Sequence, residues 1–118
     1  MSEFVLLYRS TDEARRASMG SPEKAQQTMN KWRAWFKQLS DKGQLKNIGQ
    51  PLEDGGKIVG GKKKTVTDGP YAETKDVIGG YSLIEARDLE QAAQIAEGCP
   101  IIENGGFVEV RPVRQMNM

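Results

Sequence analysis

Histidine is absent from this chain of 118 residues, and cysteine occurs once, at Cys99. The first absence removes the Ser-His and Cys-His nucleophile pairs and the commonest metal ligand, so no metal site is expected. The second leaves no partner for an intrachain disulfide. Any acid–base chemistry falls to Asp, Glu, Lys, Tyr or Cys99. A charge excess is lacking too: 17 basic against 16 acidic side chains leave a net charge of +1. Nucleic-acid binders carry a marked basic surplus, so no nucleic-acid partner is expected. No apolar run approaches the roughly 20 residues of a membrane span. The apolar start Phe4–Leu7 is too short for a signal peptide and lacks its basic flank. The expectation is one soluble, cytoplasmic domain over residues 1–118, long enough for one modest core. There is no internal repeat, linker or low-complexity segment.

Hydrophobic periodicity supplies the elements. Glu3–Arg9 is apolar on both faces, as in a central strand covered on both sides. Ser10–Gly20 is polar and small; it has room for a helical turn around Asp12–Ala17 but reads as a loop, one long enough to lie over a pocket. Ser21-Pro22-Glu23 is a helix start: a cap, a first-turn proline and an acid at the positive end of the dipole. Ala25, Met29, Trp32, Phe36 and Leu39 follow as one stripe, and Gly43 ends a helix expected over Pro22–Lys42. In this phase Trp32 is core. Trp35 lies beside the stripe, either covering the core margin or lining a pocket or subunit contact.

Leu45–Leu52 reads as a strand, with Asp54-Gly55 turning the chain into a returning arm, Lys57–Val66. Lys57, Lys62, Lys63 and Lys64 on that arm either meet phosphates or guard a solvated edge against pairing. Tyr81–Ala86 is a further strand. Asp88 and Gln91 open a second helix through a capping box, Gly98 and Pro100 close it, and Asn104-Gly105-Gly106 turns into a last strand, Phe107–Val113. Cys99, just past a helix C-terminus, reads as a small buried hydrophobe and not a nucleophile. The order of elements is that of an α+β fold, a ferredoxin-like split βαβ sheet with an extra hairpin strand and both helices on one face. The other face then needs cover, and a second copy packed sheet to sheet supplies it.

One stretch is dense in functional groups. Thr67–Tyr81 holds Asp68, Glu73, Asp76, Lys75, Tyr71 and Tyr81, with Gly69, Gly79 and Gly80. Asp68 can bond backbone amides and set the Gly69-Pro70 turn. Gly79-Gly80 marks a bulge or a close backbone approach. The functional alternative places Asp68, Tyr71, Glu73, Lys75 and Arg111 around a polar ligand pocket, with Arg111 holding a carboxylate.

The run Asp68-Gly69-Pro70-Tyr71-Ala72-Glu73-Thr74-Lys75-Asp76, with Gly79-Gly80-Tyr81, Cys99-Pro100 and Glu109-Val110-Arg111-Pro112, resembles the DGPF branch of the YCII-related family. Tyr71 stands where that family usually has Phe, and Asp76 where it has Glu. The resemblance implies a dimeric α+β barrel. It also implies a homodimer that binds a small molecule, or a cofactor-independent enzyme of the lyase or isomerase kind. A His–Asp pair proposed for the catalytic YCII branch has no counterpart here, because histidine is missing. The alternative is a protein-interaction or regulatory module, since DGPF proteins are associated with extracytoplasmic-function sigma factors. A concave pocket favours the first reading and a flat, filled region the second.

Overall fold

Strand β1, Ser2–Ser10, alternates strictly in burial in the computed structural model, which describes residues 1–70 and 76–116. Phe4, Leu6, Tyr8 and Ser10 are buried on one face, while Val5, Leu7 and Arg9 on the other are half-buried. The sheet is antiparallel with strand order β2-β5-β1-β6: β2 is Leu45–Asn47, β5 is Val77–Ala86 and β6 is Phe107–Pro112. With β1 and β5 central and two helices on one face, this is the ferredoxin-like arrangement.

The first helix, α1 (Asp12–Ser18), lies where a loop was expected. Thr11 caps it, its hydroxyl accepting from the Ala14 amide at 3.0 Å. Asp12 and Glu13 fill the first turn and Arg15 and Arg16 the last, matching the dipole. None of its residues is buried, so no apolar stripe announces it. Its far end is tied down by Thr28, whose hydroxyl donates to the Ser18 carbonyl at 2.8 Å.

Helix α2 spans Pro22–Asp41, capped by Ser21 on the Lys24 amide. It ends in a Schellman motif: Gly43 takes φ +70°, the Gln44 amide donates to the Leu39 carbonyl and the Gly43 amide to the Ser40 carbonyl. Its phase differs from the expected one. Trp35 (5% exposed) and Leu39 are the buried residues, while Trp32 and Phe36 are half-buried and Met29 is exposed. The core side of α2 therefore runs Thr28-Trp32-Trp35-Leu39, about one residue round from the predicted stripe. The apolar surplus at Met29 and Phe36 faces a cavity instead.

Leu45–Leu52 is not one continuous strand. The Asn47 side chain accepts from the Gly49 amide at 2.8 Å, a local turn that ends β2. Gly49 then takes φ +71°, and a Cβ there would stand 1.7 Å from the Tyr81 carbonyl oxygen, so only glycine fits. The chain rejoins the sheet at Pro51, which bridges Gly80, and the Leu52 amide donates to the Gly79 carbonyl at 2.8 Å. A Cβ on Gly80 would crowd the Gln50 carbonyl at 3.2 Å. The Gly79-Gly80 pair thus serves a close backbone approach inside β5, and the register of β1 against β5 shifts opposite it, between Tyr8 and Arg9.

The returning arm Lys57–Val66 folds on itself. Strands β3 (Lys57–Gly60) and β4 (Thr65–Asp68) pair as a separate hairpin, with Val59 opposite Val66 and Gly61–Lys64 at the tip. The turn that closes the hairpin is at Gly61–Lys64 and not at Asp54-Gly55, where it was expected. Lys62, Lys63 and Lys64 are exposed at this tip.

Helix α3, Leu89–Ala96, starts as expected. The Asp88 carboxylate accepts from the Gln91 amide at 2.8 Å, and the Gln91 side chain accepts from the Arg87 amide at 2.6 Å. A 3-10 turn, Pro100–Asn104, leads through Gly105 (φ +82°) into β6. One core joins sheet and helices: Phe4, Leu6, Tyr8, Ile84 and Ala86 against Trp35, Leu39, Ala92, Ala96 and Cys99.

The Trp32/Trp35 order predicts a measurable asymmetry. Trp35→Ala should cost about 3–5 kcal/mol and Trp32→Ala clearly less, read from urea denaturation midpoints. Gly49→Ala should destabilise more than an ordinary Gly→Ala change, because both the positive φ and the Tyr81 carbonyl oppose a methyl group. Equal stability of Gly49→Ala and wild type would contradict the observed path of the chain.

Candidate functional site

Two cavities adjoin at Ser10 and Arg15: one opens between the sheet, α1, α2 and the segment 48–51, the other between α1, the segment 52–55 and the ends of β1, β5 and β6. The first measures about 650 Å³ and is walled by aromatic and apolar side chains. From β1 come Tyr8 and Ser10, from α1 Ala14 and Arg15, and from α2 Met29, Trp32, Arg33 and Phe36. Ile48, Pro51 and Tyr81 close the side, and Ile101 the base. A size of this order suits a drug-sized or metabolite-sized molecule.

The walls are held from behind. The Tyr8 and Trp32 rings meet edge to face at 4.8 Å, and Trp32 in turn meets Trp35 at 5.9 Å and Phe36 at 5.7 Å. The Tyr8 hydroxyl donates to Ser82 Oγ at 2.7 Å, and Ser82 Oγ donates to the Ile48 carbonyl at 2.6 Å. Burial pushes the Tyr8 phenol well above its ordinary range, so it stays protonated and serves as a fixed donor.

The second cavity, about 1060 Å³, is polar and borders the signature: Pro70 and Asp76, the described residues on either side of 71–75, both line it. Its walls carry Arg9, Arg15 and Arg16 against Asp12, Asp54, Asp76 and Glu109. Arg9 is its centre. One terminal nitrogen of Arg9 donates to Asp76 at 2.8 Å and the other to Glu109 at 2.9 Å. Hydrogen bonding to Asp76, with Glu109 beside it, holds the Arg9 guanidinium charged above its already high ordinary value. Ser10 and Arg15 belong to both cavities and mark their junction.

The residues named from sequence fall in different places. Tyr71, Glu73 and Lys75 lie outside the described residues. Asp68 is 88% exposed and pairs with Lys57 across the β3–β4 hairpin. Arg111 is 64% exposed and bonds Glu109 at 3.3 Å. The structure does not bring Asp68 and Arg111 together, and neither lines these cavities among the described residues. Arg111 reaches the polar cavity only through Glu109, whose other oxygen holds Arg9. Sequence reasoning missed Arg9, Arg15 and the aromatic cavity. The available signal was the width of the α2 stripe: Met29, Trp32, Trp35 and Phe36 make more apolar surface than one sheet contact uses.

Cys99 is buried as expected, and burial pushes its thiol up to about 12 from an ordinary value near 9. No cluster of three or more metal-ligating side chains occurs among the described residues. No described helix is long and apolar enough to cross a membrane.

The family model of the YCII-related domain matches residues 3–117. The chain belongs to the YCII-related domain family. No curated protein matches it. Among solved structures it is similar to the 5-chloro-2-hydroxyhydroquinone dehydrochlorinase of Burkholderia phenoliruptrix AC1100, determined in complex with 2,5-dihydroxybenzoquinone. The two share 14% identity at a TM-score of 0.51, over 97% of this chain and 95% of the other. The likeness is one of fold.

The raised thiol sets a pH dependence. The unfolded thiol ionises near 9 and the folded one near 12, so the folded chain holds the extra proton between those values. Its contribution to stability is complete below about pH 9 and is lost as pH rises towards about 12. Cys99→Ala should flatten the alkaline fall in denaturation midpoint over that window. In the native protein a thiol reagent at pH 8 should leave Cys99 unmodified and react only after denaturant is added.

Proposed function

We propose that this YCII-related protein binds a small, largely apolar molecule in the aromatic cavity beneath α1 and α2. The observation that carries the reading is the cavity itself: about 650 Å³, walled by Tyr8, Met29, Trp32 and Phe36 at the edge of the packed core. Apolar side chains left facing water in this way mark a binding site more often than a packing failure. The fold neighbour, determined in complex with 2,5-dihydroxybenzoquinone, supports the same class of use. The Asp68–Asp76 motif supports membership of the DGPF-type branch.

Binding is favoured over a reaction in this cavity. Its described lining holds no carboxylate, Tyr8 is kept protonated, and Cys99 is buried elsewhere. Catalysis, in a second reading, would belong to the polar cavity next door, where Asp76, Glu109 and Arg9 meet. The regulatory alternative gains least from this geometry, because the region around the signature is concave.

A homodimer completes the proposal. The sheet face away from the helices presents Val5, Leu7, Tyr81 and Leu83 at its centre. Charges of both signs flank that patch, with Lys46 between Glu3 and Glu85 at one end and Arg9 with Asp76 and Glu109 at the other. Such a face is complementary to itself under a two-fold axis. The dimer would be the α+β barrel expected from sequence.

Two measurements test these readings. A neutral polarity-sensitive dye such as Nile red should bind one per chain with enhanced fluorescence. Ala14→Trp, which fills the cavity from α1, should abolish that signal while leaving the far-ultraviolet circular dichroism unchanged. Dye binding that survives the substitution would place the ligand elsewhere. Light scattering should give twice the 13.1 kDa chain mass, and Leu7→Lys should return it to one chain.

A further inference from the structure

The aromatic cavity is chemically lopsided. Two guanidinium groups, Arg15 and Arg33, line it, and no carboxylate does among the described residues. An anion is therefore preferred to a cation at its wall. Its rings are Tyr8, Trp32 and Phe36, in edge-to-face or tilted contact. Such walls favour a flat ring, which gains edge and face contacts beyond simple burial.

The junction with the polar cavity supplies a polar anchor. Ser10 is 7% exposed and stands at the wall shared by the two cavities. It faces both cavities, as does Arg15. A hydroxyl on a cavity wall can donate to an oxyanion placed against it. Arg15 is held in place by Asp54 at 2.9 Å and Asp12 at 2.6 Å, on different terminal nitrogens. Its guanidinium packs over Gly79, where a Cβ would come within 3.9 Å of it. Guanidinium carries five N–H donors, so these two contacts leave donors free. Both aspartates are largely exposed, so water screens them, and an incoming oxyanion on the cavity side faces mainly the guanidinium.

We propose that the ligand is a flat aromatic acid. Its ring lies against Tyr8, Trp32 and Phe36, and its oxyanion sits at the junction, accepting from Ser10 Oγ and Arg15. This rests on the reading of the cavity as a ligand site. It assigns Ser10 and Arg15 as specificity-determining residues, neither of them part of the signature.

Four probes of similar length test the assignment by calorimetric titration: naphthoate, neutral naphthylmethanol, cationic naphthylmethylammonium and aliphatic decanoate. Naphthoate should bind about tenfold or more tighter than the alcohol, the gain of a charge-assisted hydrogen bond. Ser10→Ala and Arg15→Gln should each remove most of that advantage, lowering naphthoate affinity far more than the alcohol's. Loss of alcohol binding as well would mean that these residues shape the cavity and do not read the anion. Alcohol or ammonium binding as tightly as naphthoate would overturn the oxyanion assignment, and decanoate binding tightest would overturn the aromatic one. If none of the four binds while Nile red still does, the ligand class is wrong and the cavity stands. If Nile red fails too, the cavity reading falls with it.

Discussion

Tyr8 is the residue on which the three walls of the site depend. It sits on the central strand, meets Trp32 of α2 edge to face, and passes a hydrogen bond through Ser82 to the Ile48 carbonyl. Sheet, helix and the segment 48–51 are thereby fixed to one another by one side chain. The aromatic contact is worth about 0.5–1.5 kcal/mol beyond burial. The hydrogen bonds add a net contribution of similar size. Their absence would matter more than their presence, since an unsatisfied buried hydroxyl or carbonyl costs about 1–3 kcal/mol. Without Tyr8, Ser82 would lose its donor, and the segment that walls the aromatic cavity would be less firmly held.

A second constraint follows from the backbone. The segment 48–52 runs beside β5 closely enough that Gly49 and Gly80 have no room for a side chain. Gly79 and Gly80 thus act by letting one wall of the cavity approach the sheet. In this way a motif that looks like a binding loop contributes through packing. The charged residues beside the polar cavity come instead from separate parts of the chain, among them Arg9 from β1, Arg15 from α1, Glu109 from β6 and Asp76 just before β5.

Much of the architecture was legible in the sequence, because it is written in local chemistry. Ser21-Pro22 and Gly43 bound α2, Asp88 and Gln91 open α3, and the order of the elements specifies the sheet. What was not legible depends on distant partners. Helix α1 has a good cap in Thr11 but buries nothing, so hydrophobic periodicity is silent there. Trp32 and Trp35 are both at plausible core spacings, and only the position of the sheet decides which is buried. Arg9 closes an apolar strand and looks like a terminator until Asp76 and Glu109, 67 and 100 residues away, are seen against it. The Asp68–Arg111 pocket was inferred from a motif and a well-placed arginine, whereas each has its own neighbour in Lys57 and Glu109.

The β3–β4 hairpin stands apart from these dependencies. Its ladder runs only between its own two strands, Lys57 to Asp68 and Gly60 to Thr65, and neither belongs to the four-stranded sheet. Val59 and Val66 face one another without cover from the core. Its amides are consequently protected by little more than each other, so their exchange with solvent deuterium follows local opening. Those of β1, paired on both sides, open only with the whole domain. The same polypeptide therefore keeps two clocks, and changes in the hairpin's length or sequence leave the slow one running at its own rate.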